Sequence, residues 1–319
     1  MSRVLVAGGA GFLGSHLCDR LLGRGDRVVC VDDLSTGRRA NVAHLLDDPS
    51  FSLVEADVTG GIPVAGPFDA VCHLASPASP TAYRRRPLET LAVGSVGTRL
   101  LLDLADTHGA RFLLASTSEV YGDPTVHPQV ESYRGNVDPV GPRSVYDEAK
   151  RFAEALTMAS HRTRGTDVAI ARIFNTYGPR LAPGDGRVVS NFMVQALATA
   201  PLTVYGDGSQ TRSLCFVDDE VGGLLTLLGS AVVGPVNLGN PDERTVLDLA
   251  ERVLAVTGSR SEISLHPLPA DDPTRRCPDI TLARQALGWE PTVPLDEGLA
   301  RTADYFSRGA WTPGDAGAG

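Results

Sequence analysis

The sequence predicts a doubly wound α/β fold: a parallel sheet covered by helices on both faces, with a smaller C-terminal lobe. Three observations predict it. Short apolar segments alternate with amphipathic stretches through the first half of the chain, the pattern of strands buried on both sides. The first apolar segment closes in Gly8-Gly9-Ala10-Gly11-Phe12-Leu13-Gly14, and a helical pattern follows at once. The second apolar segment ends in Asp32-Asp33. A strand, a glycine loop and a helix, with an acid closing the next strand, mark the phosphate-binding corner of a Rossmann-type sheet.

Arg3 to Ala7 is a short apolar strand, and Phe12 to Leu22 is a helix with apolar residues three and four apart. Arg27 to Val31 is the second strand, and Phe51 to Glu55 and Ala70 to Leu74 follow as strands. Pro87 to His108 reads as one helix that buries Leu91, Leu100, Leu101, Leu104 and Ala105. Arg111 to Ala115 is a strand, Asp147 to Ser160 a helix and Val168 to Phe174 a strand. Right-handed crossovers place the strand ends on one edge, where ligands bind. After Asn175 the pattern loosens. A helix is expected from Ser190 to Ala198, with strands at Leu202 to Tyr205, Val236 to Leu238 and Ile263 to Leu265. Thr245 to Val256 is a helix, with Gly258 just past its end. The expected division is 1–175, mainly dinucleotide-binding, and 176–319, mainly a substrate lobe with some elements returning to the main sheet. Gly314 to Gly319 is expected to fray.

A formal charge of -9, spread along 319 residues, argues against nucleic-acid binding. It leaves room for a local basic pocket. Cys18, Cys30, Cys72, Cys215 and Cys277 are odd in number, scattered and free of any CxxC. Neither a disulfide framework nor a zinc site is expected from them. Cys30 and Cys72 lie in apolar strands and read as core. Because Arg3 to Ala7 already belongs to the fold, no signal peptide is expected. No apolar run reaches the ~20 residues of a membrane span. The expectation is a cytoplasmic protein without a membrane partner.

The glycines of the first loop allow a tight turn and close approach of backbone to a pyrophosphate, and the helix start offers unpaired N–H groups. Asp32 can accept from the adenosine ribose hydroxyls, which favours NAD over NADP. Arg38 and Arg39 keep a 2'-phosphate in consideration. Asp57-Val58 is either an adenine contact or a simple strand cap. Further along, Ser116-Thr117-Ser118-Glu119 follows a strand, and Tyr146 and Lys150 stand four apart on one helix face. A lysine ammonium beside a tyrosine favours phenolate, and a phenolate can take a hydroxyl proton while hydride leaves the same carbon. Lys150 can also hold the nicotinamide ribose.

These features resemble the extended short-chain dehydrogenase/reductase superfamily. Further segments resemble the UDP-glucuronate decarboxylases, or UDP-xylose synthases, within it. They are His73-Leu74-Ala75-Ser76-Pro77-Ala78-Ser79-Pro80, Thr117 through Pro124, Gly141-Pro142-Arg143-Ser144-Val145-Tyr146-Asp147-Glu148 and Ala171 through Arg180. Asp185 through Phe192, Leu202-Thr203-Val204-Tyr205-Gly206, Gln210-Thr211-Arg212-Ser213, Asp271-Asp272-Pro273 through Ile280 and Gly288-Trp289-Glu290-Pro291 complete the set. They span nearly the whole chain.

The resemblance implies conversion of UDP-glucuronate to UDP-xylose and carbon dioxide with tightly bound, recycled NAD, no metal, and a homodimer. It implies a cofactor set of Gly8, Gly11, Phe12, Leu13, Gly14, Asp32, Asp33, Ser35, Thr36, Asp57, Val58, Leu74, Ala75, Ser76, Ser116, Tyr146 and Lys150. The implied catalytic set is Thr117, Ser118, Glu119, Tyr146, Lys150 and Arg276. Thr117 or Ser118 would orient the sugar O4, and Glu119 would act as an acid/base or water-positioning group. Arg276 would receive the sugar carboxylate, with Arg275 able to exchange roles. The substrate set adds Tyr83, Asn175, Arg180, Val188, Asn191, Tyr205 and Arg212, the last as the diphosphate candidate. Tyr205 also fits a core aromatic. His73 and His127 lack a metal-ligand set, and His73 reads as structural.

Three positions depart from the family pattern. Gly94 stands where asparagine is common, so the missing amide could loosen the helix or alter a proton path. Arg134 replaces a tryptophan, and Leu214-Cys215-Phe216 is less aromatic than usual. The alternatives are a UDP-sugar 4-epimerase or dehydratase, and, in another class, a noncatalytic UDP-sugar/NAD sensor.

Overall fold

The computed structural model describes residues 1–141, 143–267 and 275–308. Pro142, Asp271-Asp272-Pro273 and the Gly314 to Gly319 end lie outside the described residues. The strands are β1 (Arg3–Ala7), β2 (Arg27–Asp32), β3 (Phe51–Glu55), β4 (Ala70–His73), β5 (Arg111–Thr117), β6 (Val168–Ile173) and β7 (Thr176–Tyr177), then β8 (Leu202–Tyr205), β9 (Thr211–Ser213), β10 (Cys215–Phe216), β11 (Val236–Leu238), β12 (Glu243–Thr245) and β13 (Ile263–His266). The α-helices are α1 (Phe12–Gly23), α2 (Pro80–Arg85), α3 (Pro87–Ala92), α4 (Thr98–His108), α5 (Ser144–Arg164), α6 (Val188–Leu197), α7 (Val217–Leu228), α8 (Val246–Thr257) and α9 (Leu295–Ser307).

Seven strands form one parallel sheet in the order β3-β2-β1-β4-β5-β6-β11. The order reverses between β1 and β4, and that reversal opens a crevice at the strand ends. β11 comes from the C-terminal part of the chain and closes the β6 edge. Alternation along each strand feeds two cores. Val4 and Val6 pack with Leu17 and Leu21 of α1 on one face. Leu5 and Ala7 pack with Leu101, Leu102 and Ala105 of α4 on the other. Cys30 and Cys72 are core, as the sequence reading expects.

The expected helix from Pro87 to His108 is interrupted by a π-helical turn at Val93–Gly97. A π turn adds a residue per turn and rotates the segment before it. Leu91, expected in the core, is therefore exposed, and Leu102 is buried instead. Helix α5 runs beyond its expected end at Ser160 through His161, Arg162 and Arg164, basic residues that suit a helix C-terminus, to Gly165 at φ 74°. Thr245 caps α8 by accepting from the Asp248 N–H at 3.1 Å, and Gly258 closes it at φ 63°.

Helices α7 and α9 are absent from the sequence reading. Gly222 and Gly223 depress the helical signal of α7. Their use is packing: a Cβ on Gly223 would lie 3.0 Å from Trp289 and 3.1 Å from Leu238. Helix α9 seats Gly298 against Tyr177, whose hydroxyl donates to the Leu295 carbonyl at 3.1 Å.

Gly94 lies inside the π turn and is buried. A Cβ there would sit 2.7 Å from the Ala149 carbonyl oxygen and 2.8 Å from the Ala149 Cβ. The absent side chain thus lets the π turn touch α5 next to Lys150, where the sequence reading allowed for a loosened helix. Arg134, the second departure, is exposed. Gly94→Ala is expected to cost about 1–3 kcal/mol by overpacking, read as a lower denaturant midpoint. An unchanged midpoint would show that α5 moves aside freely.

Candidate active site

A cavity of about 1260 Å³ lies along the C-terminal ends of β1, β4, β5 and β6 and continues under α6 and β8. Its cofactor side is built by the first loop. Gly8 has φ +80°, and a Cβ on it would meet the Ala75 nitrogen at 2.5 Å. A Cβ on Gly14 would meet the Gly8 oxygen at 2.0 Å, so both positions require glycine for close backbone approach. Gly11 caps α1 without a side chain. The first-turn N–H groups are therefore left for an anion. Gly8, Gly11, Phe12, Leu13, Gly14, Ser35, Thr36, Leu74, Ser76 and Ser116 all line the cavity.

Asp32, Asp33, Asp57, Val58 and Ala75 are not among the lining residues. Asp32 is buried and accepts from the Ala10 N–H at 2.9 Å and the Leu34 N–H at 2.9 Å. It braces the glycine loop, and burial pushes its carboxyl up. Asp33 accepts from the Ser35 hydroxyl at 2.7 Å, and Asp57 accepts from the Thr59 N–H at 2.8 Å in a local turn. Val58 packs under Gly97. The Ser116 hydroxyl donates to Glu154 at 2.6 Å, which leaves its backbone for the cavity. Arg38 lines the cavity, whereas Arg39 pairs with Glu55 at 2.7 Å.

A second part of the cavity centres on Tyr146, 6% exposed and stacked on Tyr83 with ring centroids 5.3 Å apart. Lys150 Nζ donates to the Ala115 carbonyl at 2.8 Å and lies 5.8 Å from the Tyr146 ring centroid. Burial pushes Lys150 down to about 8. Burial also pushes the Tyr146 phenol above its ordinary value, while the Arg187 charge and the Thr117 hydroxyl pull it down. Neither Arg187 nor Thr117 is paired with the Tyr146 phenol in the sequence reading, and both oppose burial there.

Beside Tyr146 stands a buried ionic cluster. Arg276, 3% exposed, donates to the Ser118 carbonyl and to Glu119 Oε2 at 3.0 Å. Arg143 pairs with the same Glu119 oxygen. Burial alone would push the Glu119 carboxyl up, but Arg276 and Arg143 outweigh it and hold the group below its ordinary value. Burial and the Glu119 charge push Asp147 up to about 7. His73 is buried, accepts or donates at Thr98 Oγ1 at 3.1 Å, and is pushed down to about 3 by burial and Lys150. It is neutral packing, as its sequence context suggests.

Thr117, Ser118, Tyr83, Asn175, Arg180, Val188, Asn191, Tyr205 and Arg212 all line the same cavity. Tyr205 is 42% exposed, which rules out the core reading. Arg180 pairs with Asp19 at 2.7 Å at the rim. Arg275 is exposed and Arg276 points inward. Arg143 and Arg187 were not singled out from sequence, because an isolated arginine in a loop has no periodicity or spacing to mark it. Nine arginines and Lys150 line the cavity against Glu89, Glu119 and Asp185. The chain as a whole carries -9.

The model of the NAD dependent epimerase/dehydratase family matches residues 4–239, from β1 through β11. The chain belongs to that family. Within it, the chain is similar to the UDP-glucuronic acid decarboxylases. It is 56% identical to UDP-glucuronic acid decarboxylase 4 of Arabidopsis thaliana over 93% of this chain and 67% of that protein. Among solved structures, UDP-glucose 4-epimerase of Thermotoga maritima with UDP-glucose superposes with a TM-score of 0.89 at 30% identity, over 96% of this chain and 99% of that one. UDP-glucuronic acid 4-epimerase of Bacillus cereus, in complex with UDP-glucuronic acid and NAD, gives 0.86 at 28% identity, over 96% and 99%. The family's NAD fits this chain's glycine cradle, where side chains are excluded and helix N–H groups are open.

Asp147 supplies a pH test. Its folded value near 7 lies above the unfolded value of about 3.9. The native state keeps the proton longer than the unfolded state, so this group's contribution to stability falls as pH rises through that window. Asp147→Asn is expected to gain roughly 2–4 kcal/mol on the wild type between about pH 4 and 7, followed by urea unfolding at each pH. Parallel pH profiles would contradict the assignment.

Proposed function

We propose that this chain is an NAD-dependent decarboxylase that converts UDP-glucuronate to UDP-xylose and carbon dioxide. The observation that carries the reading is the Arg276–Glu119–Arg143 cluster beside Tyr146, in one cavity with the glycine loop. A uronic acid adds a carboxylate to the charge of a nucleotide diphosphate, and guanidinium groups can meet both with paired hydrogen bonds.

When bound, NAD supplies a reversible hydride acceptor for sugar C4. Gly8, Gly11 and Gly14 with the start of α1 would hold its pyrophosphate, and Lys150 its nicotinamide ribose. Thr117 orients O4 toward Tyr146, whose phenolate, favoured by the positive charge that bound NAD would bring, takes the O4 proton as C4 is oxidised. The C6 carboxylate is then β to a ketone. Its loss as carbon dioxide leaves an electron pair that the ketone accepts as an enolate. Arg276 holds the carboxylate in place before it leaves. Glu119, kept ionised by its two arginines, positions the water that delivers a proton to C5. Tyr146 returns its proton to O4 as C4 is reduced, and the cycle closes without net consumption of cofactor. Arg212 and Asn191 face the diphosphate, and Tyr205 the uridine.

We place the boundary between the cofactor part and the substrate lobe at 175/176. Exposed Leu88 and Leu91 on α3 and Phe152 on α5 support a homodimer across those helices. The five free, buried cysteines support a reducing, cytoplasmic setting. No helix among the described residues is long and apolar enough to cross a membrane.

A second reading, C4 epimerisation, is favoured by the likeness to two 4-epimerases. Labelled UDP-glucuronate separates the two. Equal amounts of carbon dioxide and UDP-xylose, without net NAD use, are expected. UDP-galacturonate without carbon dioxide would establish the epimerase. A released 4-keto pentose would show that the last reduction fails. No reaction by the folded, NAD-loaded protein would overturn the proposal and leave the sensor reading. Tyr146→Phe is expected to lower kcat by about 10²–10⁴-fold. Arg276→Lys, which loses the planar fork, is expected to raise KM and lower kcat together.

A further inference from the structure

His127, Glu243 and Cys277 lie far apart in sequence and meet outside the cavity lining described above. Among the described residues they form a group whose ligand atoms all lie within 4.8 Å of one another. His127 Nε2 is 3.1 Å from Glu243 Oε2. We propose that these three side chains form a binding site for a divalent metal ion of the zinc class.

The donor set is one imidazole nitrogen, one carboxylate oxygen and one sulfur. That mixture suits zinc or cobalt and does not suit magnesium or calcium, which prefer oxygen throughout. Bonds of about 2.0–2.3 Å in a tetrahedron bring donors to about 3.3–3.8 Å. The His127–Glu243 pair at 3.1 Å would open slightly, and the widest separation, within 4.8 Å, would close by up to about 1 Å, with a water completing the shell. The sulfur is buried while His127 and Glu243 are part-exposed, so an ion can reach the group from solvent. Binding exchanges the thiol proton of Cys277 for the metal, and that proton passes to solvent.

The three segments are already held together. The Cys277 N–H donates to Gln129 Oε1 at 2.9 Å, and the Gln129 N–H donates to the Cys277 carbonyl at 2.9 Å. Gln129 is fully buried, two residues from His127. Glu243 is in β12, paired with β9 opposite Ser213. Its second oxygen accepts from the Thr211 hydroxyl, the outer contact that fixes a ligating carboxylate. Sequence spacing alone found no metal set around His127, because the sheet pairing and the Gln129 clamp assemble it.

An ion here would fix Cys277 directly behind Arg276 and steady β9, which carries Arg212. That consequence for substrate binding rests on the function proposed above, whereas the metal binding does not. The test uses the full chain, stripped with a chelator and titrated with cobalt(II). One equivalent is expected to bind with a sulfur-to-cobalt charge-transfer band and the visible bands of a tetrahedral ion. Cys277→Ser is expected to abolish the charge-transfer band, and His127→Gln to weaken binding tenfold or more. Should Cys277→Ser fail to fold by circular dichroism, His127→Gln and Glu243→Gln carry the test. No charge-transfer band in the wild type, a band that survives Cys277→Ser, or affinity unchanged in the other two variants overturns the site. His127 and Glu243 would then be an ordinary ion pair. Loss of UDP-glucuronate turnover with cobalt binding intact would count against the proposed function alone.

Discussion

Glu119 is the acid on which the geometry of the cavity turns. It follows β5, and its two arginine partners come from elsewhere: Arg143 at the start of α5 and Arg276 from beyond β13. Removing a charge from water is costly unless it is paired and hydrogen-bonded. The cluster meets that requirement only when all three segments are docked. Loss of either arginine would leave a part-buried carboxylate with half its compensation. Docking of the C-terminal segment and completion of the site are thus one event, although the segment is distant in the chain.

The same arginines shape the long-range field. A chain of net charge -9 places nine arginines around one cavity. A basic cavity in a chain of net negative charge focuses field lines on a small polyanion. Internal pairing limits how much of that charge a ligand feels. Arg180 is matched by Asp19, Arg187 by Asp185 and Arg143 by Glu119. Arg276 is likewise matched by Glu119, so any anion that reached its guanidinium would have to compete with that carboxylate.

What the sequence made legible follows the range of each interaction. Gly8, Gly11 and Gly14 were readable because their constraint is local: a loop and a helix start that adjoin in the chain. Tyr146 and Lys150 were readable because a four-residue step sets their common face. Asp32 was readable as important, yet its contacts are with Ala10 and Leu34, so its first task is to hold the loop. Arg143 and Arg187 gain meaning only through partners on other elements. Helix α7 was missed for the converse reason: Gly222 and Gly223 are poor helix formers locally, and Trp289, far along the chain, explains Gly223. Gly94 shows both sides. Its departure from the family pattern was visible, but the contact with Ala149 that gives it a purpose was not.

Burial acts on Tyr146 and Lys150 in opposite senses. It raises the Tyr146 phenol and lowers the Lys150 ammonium, so each is held nearer its neutral form than in water. Neither group can carry charge cheaply alone, but a phenolate and an ammonium together offset one another. His73, neutral beneath Lys150, contributes no competing charge. Lys150 Nζ is held by the Ala115 carbonyl at 2.8 Å and lies 5.8 Å from the Tyr146 ring centroid, so the two groups share one buried environment. The Gly94 turn packs on Ala149, next to Lys150, against the helix that carries both residues.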